Sequence, residues 1–361
     1  MPTDDPMHAV VDHVDALTPA WLTEALRSRG HDLVVTAVAS EQIGTGQMGT
    51  AHRLHLTYEG ADGPPTLVAK LPAGDEETRR AIAAGYRNEV GFYLHLVDTL
   101  DVSAPRCWYA AISDDALDFV LLLDDLAPRV PGVQADGCSL PQAEDAVRNL
   151  ARLHASRWND ESLVELGFLG RRNQRNAKHL ARMLDESTEA FVARYRGAGL
   201  DGADAATLRE VADVIVAWQL DRPEPFTVIH GDYRLENLMF PPAGDGVVAV
   251  DWQGVSLGLP GRDLAFFVST SFEVDTRRAF EAQLVDGYHA ELVAHGVDGY
   301  DRDRCLDDYR FGQLQGPLTN IVGCMYATGV RSATSDLMFL TMNRRYCAAI
   351  RDLDSVGAVR R

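Results

Sequence analysis

The stretch His-Gly-Asp-Tyr-Arg-Leu-Glu-Asn at residues 230–237, followed by Asp251, is the most informative part of this chain. Asp232 and Asn237 are five positions apart, a spacing that places a carboxylate and an amide on one tight loop. Transfer of a phosphoryl group needs a carboxylate beside the acceptor hydroxyl, and an amide and a second carboxylate that hold Mg²⁺. The spacing therefore predicts Asp232 as the catalytic base and Asn237 and Asp251 as metal ligands.

Apolar segments flank this loop on both sides. Residues 226–229 and 238–240 can enter and leave the loop as buried strands, and the β-branched run 247–250 delivers the next acid at a strand end. The alternative is that Asp232 and Asn237 only stabilise a turn, which is a frequent role of both residue types. The correctly spaced acid after the third strand favours the catalytic interpretation.

Gly44, Gly46 and Gly49 form the pattern Gly-x-Gly-x-x-Gly, which occurs in dinucleotide-binding folds and in kinases. A dinucleotide-binding fold requires a helix directly after the glycines and an acid about twenty residues later. Here a period-two apolar pattern typical of a strand follows, and the residue twenty positions after Gly49 is Ala69. We therefore predict a β-hairpin whose backbone N–H groups cover nucleotide phosphates, with an ordinary glycine-rich turn as the alternative.

Lys70 ends a predicted strand whose Val-Ala-Lys sequence is similar to the strand that carries the phosphate-binding lysine of kinases. A helix is predicted at about residues 75–100, with an apolar stripe beside Glu89. We predict that Glu89 pairs with Lys70 and holds it in place, although Glu76 or Glu77 could take that position.

The apolar run at residues 119–123 predicts a buried strand that ends at Asp-Asp-Leu. In a two-lobed kinase the chain crosses between lobes at this point, and backbone groups there contact adenine. We assign Asp124 and Leu126 to this nucleotide contact, while an acidic turn after a core strand describes the same residues.

Composition bounds the class of protein. A chain of 361 residues that is 46% hydrophobic and 24% charged can bury a substantial core. The formal net charge of −19 opposes binding to nucleic acid, and no apolar run is long enough to span a membrane. Five widely spaced cysteines without a Cys-x-x-Cys pair predict free thiols in a reducing compartment. We therefore expect a cytoplasmic protein with neither nucleic acid nor a membrane as partner.

The order of predicted elements indicates an α+β fold in two lobes. Residues 1–124, with a leading helix at 18–29, are predicted as a β-rich nucleotide-binding lobe, and residues 125–361 as a mainly helical lobe for catalysis and substrate binding. The strands of the first lobe are expected near 32–43, 51–59, 66–71, 106–112 and 118–124. The last helices are expected at about 264–295, 301–328 and 335–356.

The chain resembles the aminoglycoside phosphotransferase-like superfamily, and it looks closest to the ecdysteroid-kinase-like branch of small-molecule kinases. The resemblance covers about residues 40–270 and rests on the 230–237 loop, on Asp251-Trp-Gln, and on shorter segments at 121–126, 150–155 and 261–265. It implies a protein-kinase-like fold, ATP with Mg²⁺ as cofactors, and phosphorylation of a hydroxyl on a small molecule.

The family's functional positions fall on residues already singled out: Asp232, Asn237, Asp251 and Lys70. In addition, Asp263 matches an acid that braces the catalytic loop. Arg234, two residues past the predicted base, is expected to stabilise charge that develops on the γ-phosphate. Gln253 replaces the glycine of Asp-Phe-Gly, which argues against a regulatory flip of the metal-binding turn.

The sequence therefore predicts an ATP- and Mg-dependent kinase that phosphorylates a hydroxylated metabolite or natural product. An aminoglycoside O-phosphotransferase and a non-catalytic nucleotide-binding module are the alternatives. A protein kinase is disfavoured because Asp251 and Asp263 are 12 residues apart and Ala-Pro-Glu is absent, which leaves no room for a peptide-docking segment. Six aromatic residues of the C-terminal helices could line an acceptor pocket or belong to the core: Phe266, Phe267, Phe272, Tyr309, Phe311 and Tyr326.

Overall fold

Two structural units divide the chain. The structure is a computed structural model, and it describes residues 10–44, 49–60, 63–170, 173–326 and 332–360. Unit 1 comprises Met1–Asp98 and Ala104–Ala127, and unit 2 comprises Thr99–Ser103 and Pro128–Arg361. The chain thus passes from unit 1 to unit 2 and back before it enters unit 2 again.

Unit 1 contains a five-stranded antiparallel sheet and two α-helices, α1 (Pro19–Ser28) and α2 (Glu76–His95). In chain order, the strands are β1 (Val35–Ile43), β2 (Gly49–Tyr58), β3 (Thr66–Pro72), β4 (Cys107–Ile112) and β5 (Phe119–Asp124). They lie side by side in the order β1, β2, β3, β5, β4. We predicted a helix at about 75–100, but in the structure α2 ends at His95. A 3₁₀ turn follows at Val97–Thr99.

Helix α1 covers one face of this sheet. Thr18 accepts a hydrogen bond from the Trp21 N–H, and proline occupies the first helical position, so both features of a helix start are present. Leu22 and Leu26 of α1 are fully buried in one core with apolar residues of the strands. Among these are Leu54, Leu67 and Leu122, which alternate with residues of the other face because side chains in a strand point to opposite sides.

Unit 2 is mainly helical. Its helices are α3 (Leu140–Ser156), α4 (Gln174–Tyr195), α5 (Gly202–Leu220), α6 (Gly261–Thr270), α7 (Val274–Ala294), α8 (Arg302–Gly312), α9 (Gln315–Tyr326), α10 (Ala333–Asp352) and α11 (Ser355–Val359). Its short strands are β6 (Val130–Pro131), β7 (Thr227–Ile229), β8 (Leu238–Phe240), β9 (Val248–Ala249) and β10 (Ser256–Gly258). β7 pairs with β10, and β8 lies between β6 and β9.

The predicted C-terminal helices are each divided in two. The expected helix at 264–295 is interrupted between α6 and α7, where the Ser271 carbonyl accepts the Cys138 N–H at 3.0 Å. The expected helix at 301–328 is interrupted between α8 and α9. Ser271, Phe272, Gln313 and Leu314 at the two breaks are buried, as in the helices on either side, so burial does not distinguish the breaks from the helices.

Five of the six aromatic residues that could have lined an acceptor pocket are buried, and Phe266 and Phe311 belong to a hydrophobic core of unit 2. The side chain of Tyr326 lies outside the described part of the structure. No helix of the described ranges is both long enough and apolar enough to cross a membrane.

Thr99–Ser103 is a short segment of unit 2 that lies in the sequence between two parts of unit 1. The Ser103 N–H donates to the Asn149 side chain at 2.8 Å, and its carbonyl accepts the Ala249 N–H at 2.8 Å. The Asp101 N–H donates to the Ser156 hydroxyl at 2.7 Å. These bonds attach the segment to α3 and β9.

Helices α6 and α8 approach each other at two glycines. A Cβ on Gly312 would lie 2.2 Å from the Gly261 carbonyl oxygen, and one on Gly261 would lie 2.5 Å from the Asp308 carbonyl oxygen. The two backbones can meet because neither glycine has a side chain. This contact fixes the position of α6, the helix that carries Asp263.

Gly312→Ala should lower the free energy of unfolding by about 1–3 kcal/mol, because the new methyl group would meet backbone that cannot move aside cheaply. Gly287 provides the control, since it lies in α7 and a Cβ there would have nothing within 4 Å. Gly287→Ala should raise stability by about 0.5–1 kcal/mol through helix propensity alone. The free energy of unfolding of both variants is measured in urea. Equal changes in Gly312→Ala and Gly287→Ala would contradict the close contact between α6 and α8.

Candidate active site

The loop that contains the predicted base begins where two backbone segments cross. β7 leads into His230, and Gly231 follows with φ +82°. A Cβ on Gly231 would lie 2.4 Å from the Gly254 carbonyl oxygen, so both the dihedral angle and the contact require glycine. The loop can therefore pass directly against the turn that follows Asp251.

Asp263 holds the start of this loop by its backbone. Its Oδ2 accepts the His230 N–H at 2.6 Å and its Oδ1 accepts the Gly231 N–H at 3.0 Å, and the side chain is fully buried. Hydrogen bonds to a carboxylate are stronger than those between neutral groups. His154 is also fully buried: its Nδ1 lies 2.6 Å from the Tyr288 hydroxyl and its Nε2 lies 3.4 Å from Asp263 Oδ2.

His230 connects the loop to the strand that precedes Asp251. Its Nδ1 accepts the Asp232 N–H at 3.3 Å, which assigns the ring proton to Nε2, and Nε2 donates to the Val250 carbonyl at 3.1 Å. The ring also packs on Trp252, with 4.6 Å between centroids. Both ring nitrogens thus contact backbone groups that shape the loop.

Asn237 closes the loop onto the predicted base. Its Nδ2 donates to the Asp232 carbonyl and to Asp232 Oδ2, both at 2.9 Å. Its own carbonyl accepts the Val250 N–H at 2.9 Å, and Asp251 comes next with a left-handed φ of 65°. The structure therefore brings Asp232, Asn237 and Asp251 together, and the amide oxygen of Asn237 is the atom that could bind a cation.

The surroundings raise the pKa of Asp232. Burial is the largest cause and the Asp251 carboxylate acts in the same direction, while Arg234 opposes them. The side chain is 28% exposed as a whole, its Oδ1 atom is buried, and its Oδ2 accepts from Asn237 Nδ2 and Arg234 Nε. A base with a raised pKa accepts a proton more readily, and it ceases to act as the pH falls through that pKa.

Arg234 lies between two carboxylates. Its Nε is 3.2 Å from the Asp232 carboxylate, its Nη1 donates to Glu236, and the same nitrogen is 3.3 Å from the Met338 sulfur. Burial alone would lower the pKa of Arg234, but the two carboxylates raise it. The guanidinium is therefore charged and fixed beside the predicted base, and its contact with a γ-phosphate stays a prediction.

Lys70 and Glu89 form an ion pair within unit 1. The Lys70 ammonium on β3 is 2.7 Å from the Glu89 carboxylate on α2, and the Glu89 side chain is only 1% exposed. A buried carboxylate needs such a partner to be stable. Glu76 and Glu77, the competing candidates, are exposed at the start of α2.

Gly44 and Gly49 lie at the two ends of the predicted phosphate-covering hairpin, and Gly46 falls outside the described residues. Gly44 follows β1 with φ +67°, and Gly49 begins β2, where a Cβ would lie 3.0 Å from the Leu71 carbonyl oxygen. β1 and β2 pair antiparallel, so the glycine segment joins adjacent strands, as predicted.

The predicted adenine contact lies at the end of β5. The Asp124 carboxylate accepts the indole N–H of Trp108 at 2.7 Å, and its backbone N–H donates to the Arg106 carbonyl at 2.9 Å. Within the described ranges, neither backbone group of Leu126 takes part in a hydrogen bond. The side chain of Asp124 thus has a structural partner, and a nucleotide contact here would use the backbone.

The donor groups of unit 2 fit a hard divalent cation. The Val250 N–H bonds to the Asn237 carbonyl, which places Asp251 next to the residue whose amide holds the Asp232 carboxylate. No group of three or more His, Cys, Asp and Glu side chains in the described sequence could hold a metal ion. Mg²⁺ commonly takes one or two protein carboxylates and completes its coordination with phosphates and water, which suits this set.

The chain matches the ecdysteroid kinase-like family over residues 44–297. Because this match covers more than half of its length, the protein belongs to the ecdysteroid kinase-like family, as the sequence predicted. Members and structural neighbours of this family are kinase-like phosphotransferases of small molecules.

Solved structures of small-molecule kinases share the fold. Aminoglycoside 2′-phosphotransferase-IIIa, solved with GDP, is 15% identical with a TM-score of 0.54, and the match covers 91% of this chain and 98% of that one. Ethanolamine kinase from Plasmodium vivax is 11% identical with a TM-score of 0.55, covering 90% and 86%. Choline kinase from Cryptosporidium parvum is 10% identical with a TM-score of 0.54, covering 89% and 91%. Identities this low show the fold alone, and they confirm the predicted α+β, protein-kinase-like fold.

One curated relative is acyl-CoA dehydrogenase family member 10 from Mus musculus, 28% identical over 195 residues. The match covers 49% of this chain and 16% of that protein. The chain therefore spans about a sixth of the length of this relative.

Two residues beside the loop were not predicted from the sequence. Glu236 pairs with Arg234, and its opposite charge two positions later was a usable signal. Gln134 is fully buried, and its Oε1 accepts the Leu235 N–H at 3.1 Å. It lies 101 residues before its partner, so no local pattern indicates it.

Asp263→Asn should lower the free energy of unfolding by about 1–3 kcal/mol, because an amide offers one oxygen where two buried N–H groups need acceptors. Urea unfolding checks this. Asp303→Asn is the control, since its side chain is 95% exposed, and it should change stability by less than about 0.5 kcal/mol. Equal stability of the two variants would show that Asp263 does not hold the loop.

Proposed function

We propose that this protein transfers the γ-phosphoryl group of ATP, with Mg²⁺, to a hydroxyl group of a small molecule. The observation that carries this proposal is the joint placement of Asp232, Asn237 and Asp251 on a loop and turn that Asp263 holds by the backbone. Phosphoryl transfer relies on positioning and charge stabilisation, and this arrangement supports both.

In this reaction Asp232 orients the acceptor hydroxyl and takes its proton. Asn237 fixes the direction of the Asp232 carboxylate through its amide N–H, and its oxygen would hold Mg²⁺ together with Asp251. The bound metal neutralises charge on the phosphate oxygens. Arg234 adds a second fixed positive charge beside the base.

Unit 1 is proposed to bind the nucleotide. Lys70 contacts phosphate oxygens, and the ion pair with Glu89 keeps its ammonium in one place. The glycine segment with Gly44, Gly46 and Gly49 covers phosphates by backbone N–H groups. Adenine is contacted by the backbone at Asp124 and Leu126.

We propose a neutral or weakly charged acceptor. A polycationic acceptor such as an aminoglycoside needs several carboxylates available to face it. Four acids at the C-terminal helices are paired with arginine: Glu273 with Arg345, Asp275 with Arg278, Asp307 with Arg222, and Asp308 with Arg222 and Arg304. Their charges are compensated within the fold, which favours a hydroxylated metabolite or natural product over an aminoglycoside.

The segment between Asp251 and α6 gives no support to a protein kinase. It contains only a 3₁₀ turn at Trp252–Gly254 and the three residues of β10, which cannot form a peptide-docking segment. A non-catalytic nucleotide-binding module stays a distinct alternative. It predicts nucleotide binding without transfer to any acceptor.

Asp232→Asn should reduce phosphoryl transfer by about 10²–10⁴ because base and positioning are lost, while Mg·ATP affinity stays within a few-fold. Asp251→Asn is the matched variant, and it should weaken Mg·ATP binding itself because the metal joins protein and phosphates. Transfer assays and calorimetry of both variants separate the two roles. A wild-type rate in Asp232→Asn would remove it as the base, and unchanged Mg·ATP affinity in Asp251→Asn would remove it as a ligand.

A panel of acceptors tested with ATP should identify a neutral alcohol as the best substrate. It should include sugars, sterols, nucleosides and aminoglycosides. The acceptor KM should change little between about 0.05 and 0.5 M salt, since screening weakens mainly charged interactions. If kanamycin-like compounds were the best substrates and their KM rose steeply with salt, the acceptor would be an aminoglycoside and not a neutral alcohol.

A further inference from the structure

A buried glutamine joins the catalytic loop to a distant helix end of unit 2. Gln134 follows β6 and has no exposed surface. Its Oε1 accepts the Leu235 N–H at 3.1 Å, and its Nε2 donates to the Thr270 carbonyl at 2.8 Å. Both ends of the amide are used, and removing it would leave the buried Leu235 N–H without its acceptor, which is costly.

Arg345 on α10 holds Gln134 from the other side. Its Nη1 donates to the Gln134 carbonyl at 2.7 Å and to the Thr270 carbonyl at 2.9 Å, and its Nη2 donates to the Ala135 carbonyl at 3.0 Å. Glu273 is 2.7 Å from Nη2 and balances its charge. A planar guanidinium with several donors fixes the backbone around it in one arrangement.

The hydrogen bond between Gln134 and Leu235 lies where it can orient Asp232 and Asn237. Leu235 begins the 3₁₀ turn Leu235–Asn237, between the proposed base and the proposed metal ligand. Asp263 holds the loop before Asp232, at His230 and Gly231, and Gln134 holds it after Asp232. The Gly132 N–H strengthens the second point by donating to the Leu235 carbonyl at 3.0 Å. The base thus lies between two fixed points of the backbone.

We propose that Gln134 is a positioning residue for phosphoryl transfer, with Arg345 holding it in place. It acts through the backbone of Leu235 and so sets the direction of the Asp232 carboxylate and the Asn237 amide. The inference rests on the proposed function. It predicts a loss in kcat that is larger than any rise in the KM for ATP, since Lys70 and the glycine segment are untouched while the base and Asn237 lie on either side of Leu235.

Gln134→Leu should lower kcat by at least about tenfold, because misplacing a reacting group by about 1 Å can cost about 10²-fold in rate. Gln219→Leu is the matched control, since Gln219 on α5 is also buried, at 4% exposure, and lies outside the loop. Both variants lose a buried polar contact and should be destabilised, but Gln219→Leu should keep the wild-type kcat. Equal kcat losses in the two variants, or none in Gln134→Leu, would overturn the proposal.

Hydrogen exchange provides a measurement that does not depend on catalysis. In Gln134→Leu the Leu235 amide should exchange faster than in the wild type, while the Gly231 amide, held by Asp263, serves as the internal reference. Unchanged exchange at Leu235 would overturn the positioning role. If the wild type transfers phosphate to no acceptor, the proposed function fails, and the exchange result still decides whether Gln134 fixes the loop.

Arg345→Lys is the second variant, to be used if Gln134→Leu does not fold. A single ammonium cannot replace the fork that contacts Gln134, Ala135 and Thr270, so Gln134 should loosen. We expect faster exchange at Leu235 and a lower kcat. Wild-type values of both would contradict the proposal.

Discussion

The carboxylate of Asp263 is the contact on which the proposed active site depends. A fully buried charge is unfavourable unless it is well hydrogen-bonded, and here the two backbone N–H groups of His230 and Gly231 supply the bonds. Asp263 lies on α6, whose position follows from the close approach of Gly261 and Gly312. Gly261 and Gly312, which lack side chains, therefore help to determine the position of Asp263 and, through it, of the loop that carries Asp232.

Neighbouring charges of opposite sign act on the pKa of Asp232, the proposed base. Burial and Asp251 raise the pKa of Asp232, and Arg234 acts against them. Glu236 binds the same guanidinium and shares its charge, so Arg234 is fixed without neutralising the base entirely. Asp232 is proposed as the base, and Asp251 with the Asn237 amide oxygen offers the oxygen donors that Mg²⁺ prefers.

The sequence was sufficient where function depends on local spacing. The five-residue interval in the loop, the strand before Asp251 and the helix stripe beside Glu89 all follow from short-range patterns. It was insufficient where buried polar groups meet over long distances, as for Gln134 with Leu235 and Arg345 with Ala135, which are 101 and 210 residues apart. The break between α6 and α7 was missed for a similar reason, because the Cys138 N–H that meets Ser271 comes from elsewhere in the chain.

The short excursion Thr99–Ser103 has a consequence for how this fold can be divided. Its Ser103 carbonyl is the acceptor for the Ala249 N–H, on the strand that leads to Asp251. A fragment that began at Pro128 would lack this acceptor and the backbone partner of Asn149. Unit 2 is thus not contiguous in the gene, and a single crossover between related genes could not exchange one unit while leaving the other intact. An exchange of one whole unit would have to join the chain at three boundaries, 98/99, 103/104 and 127/128.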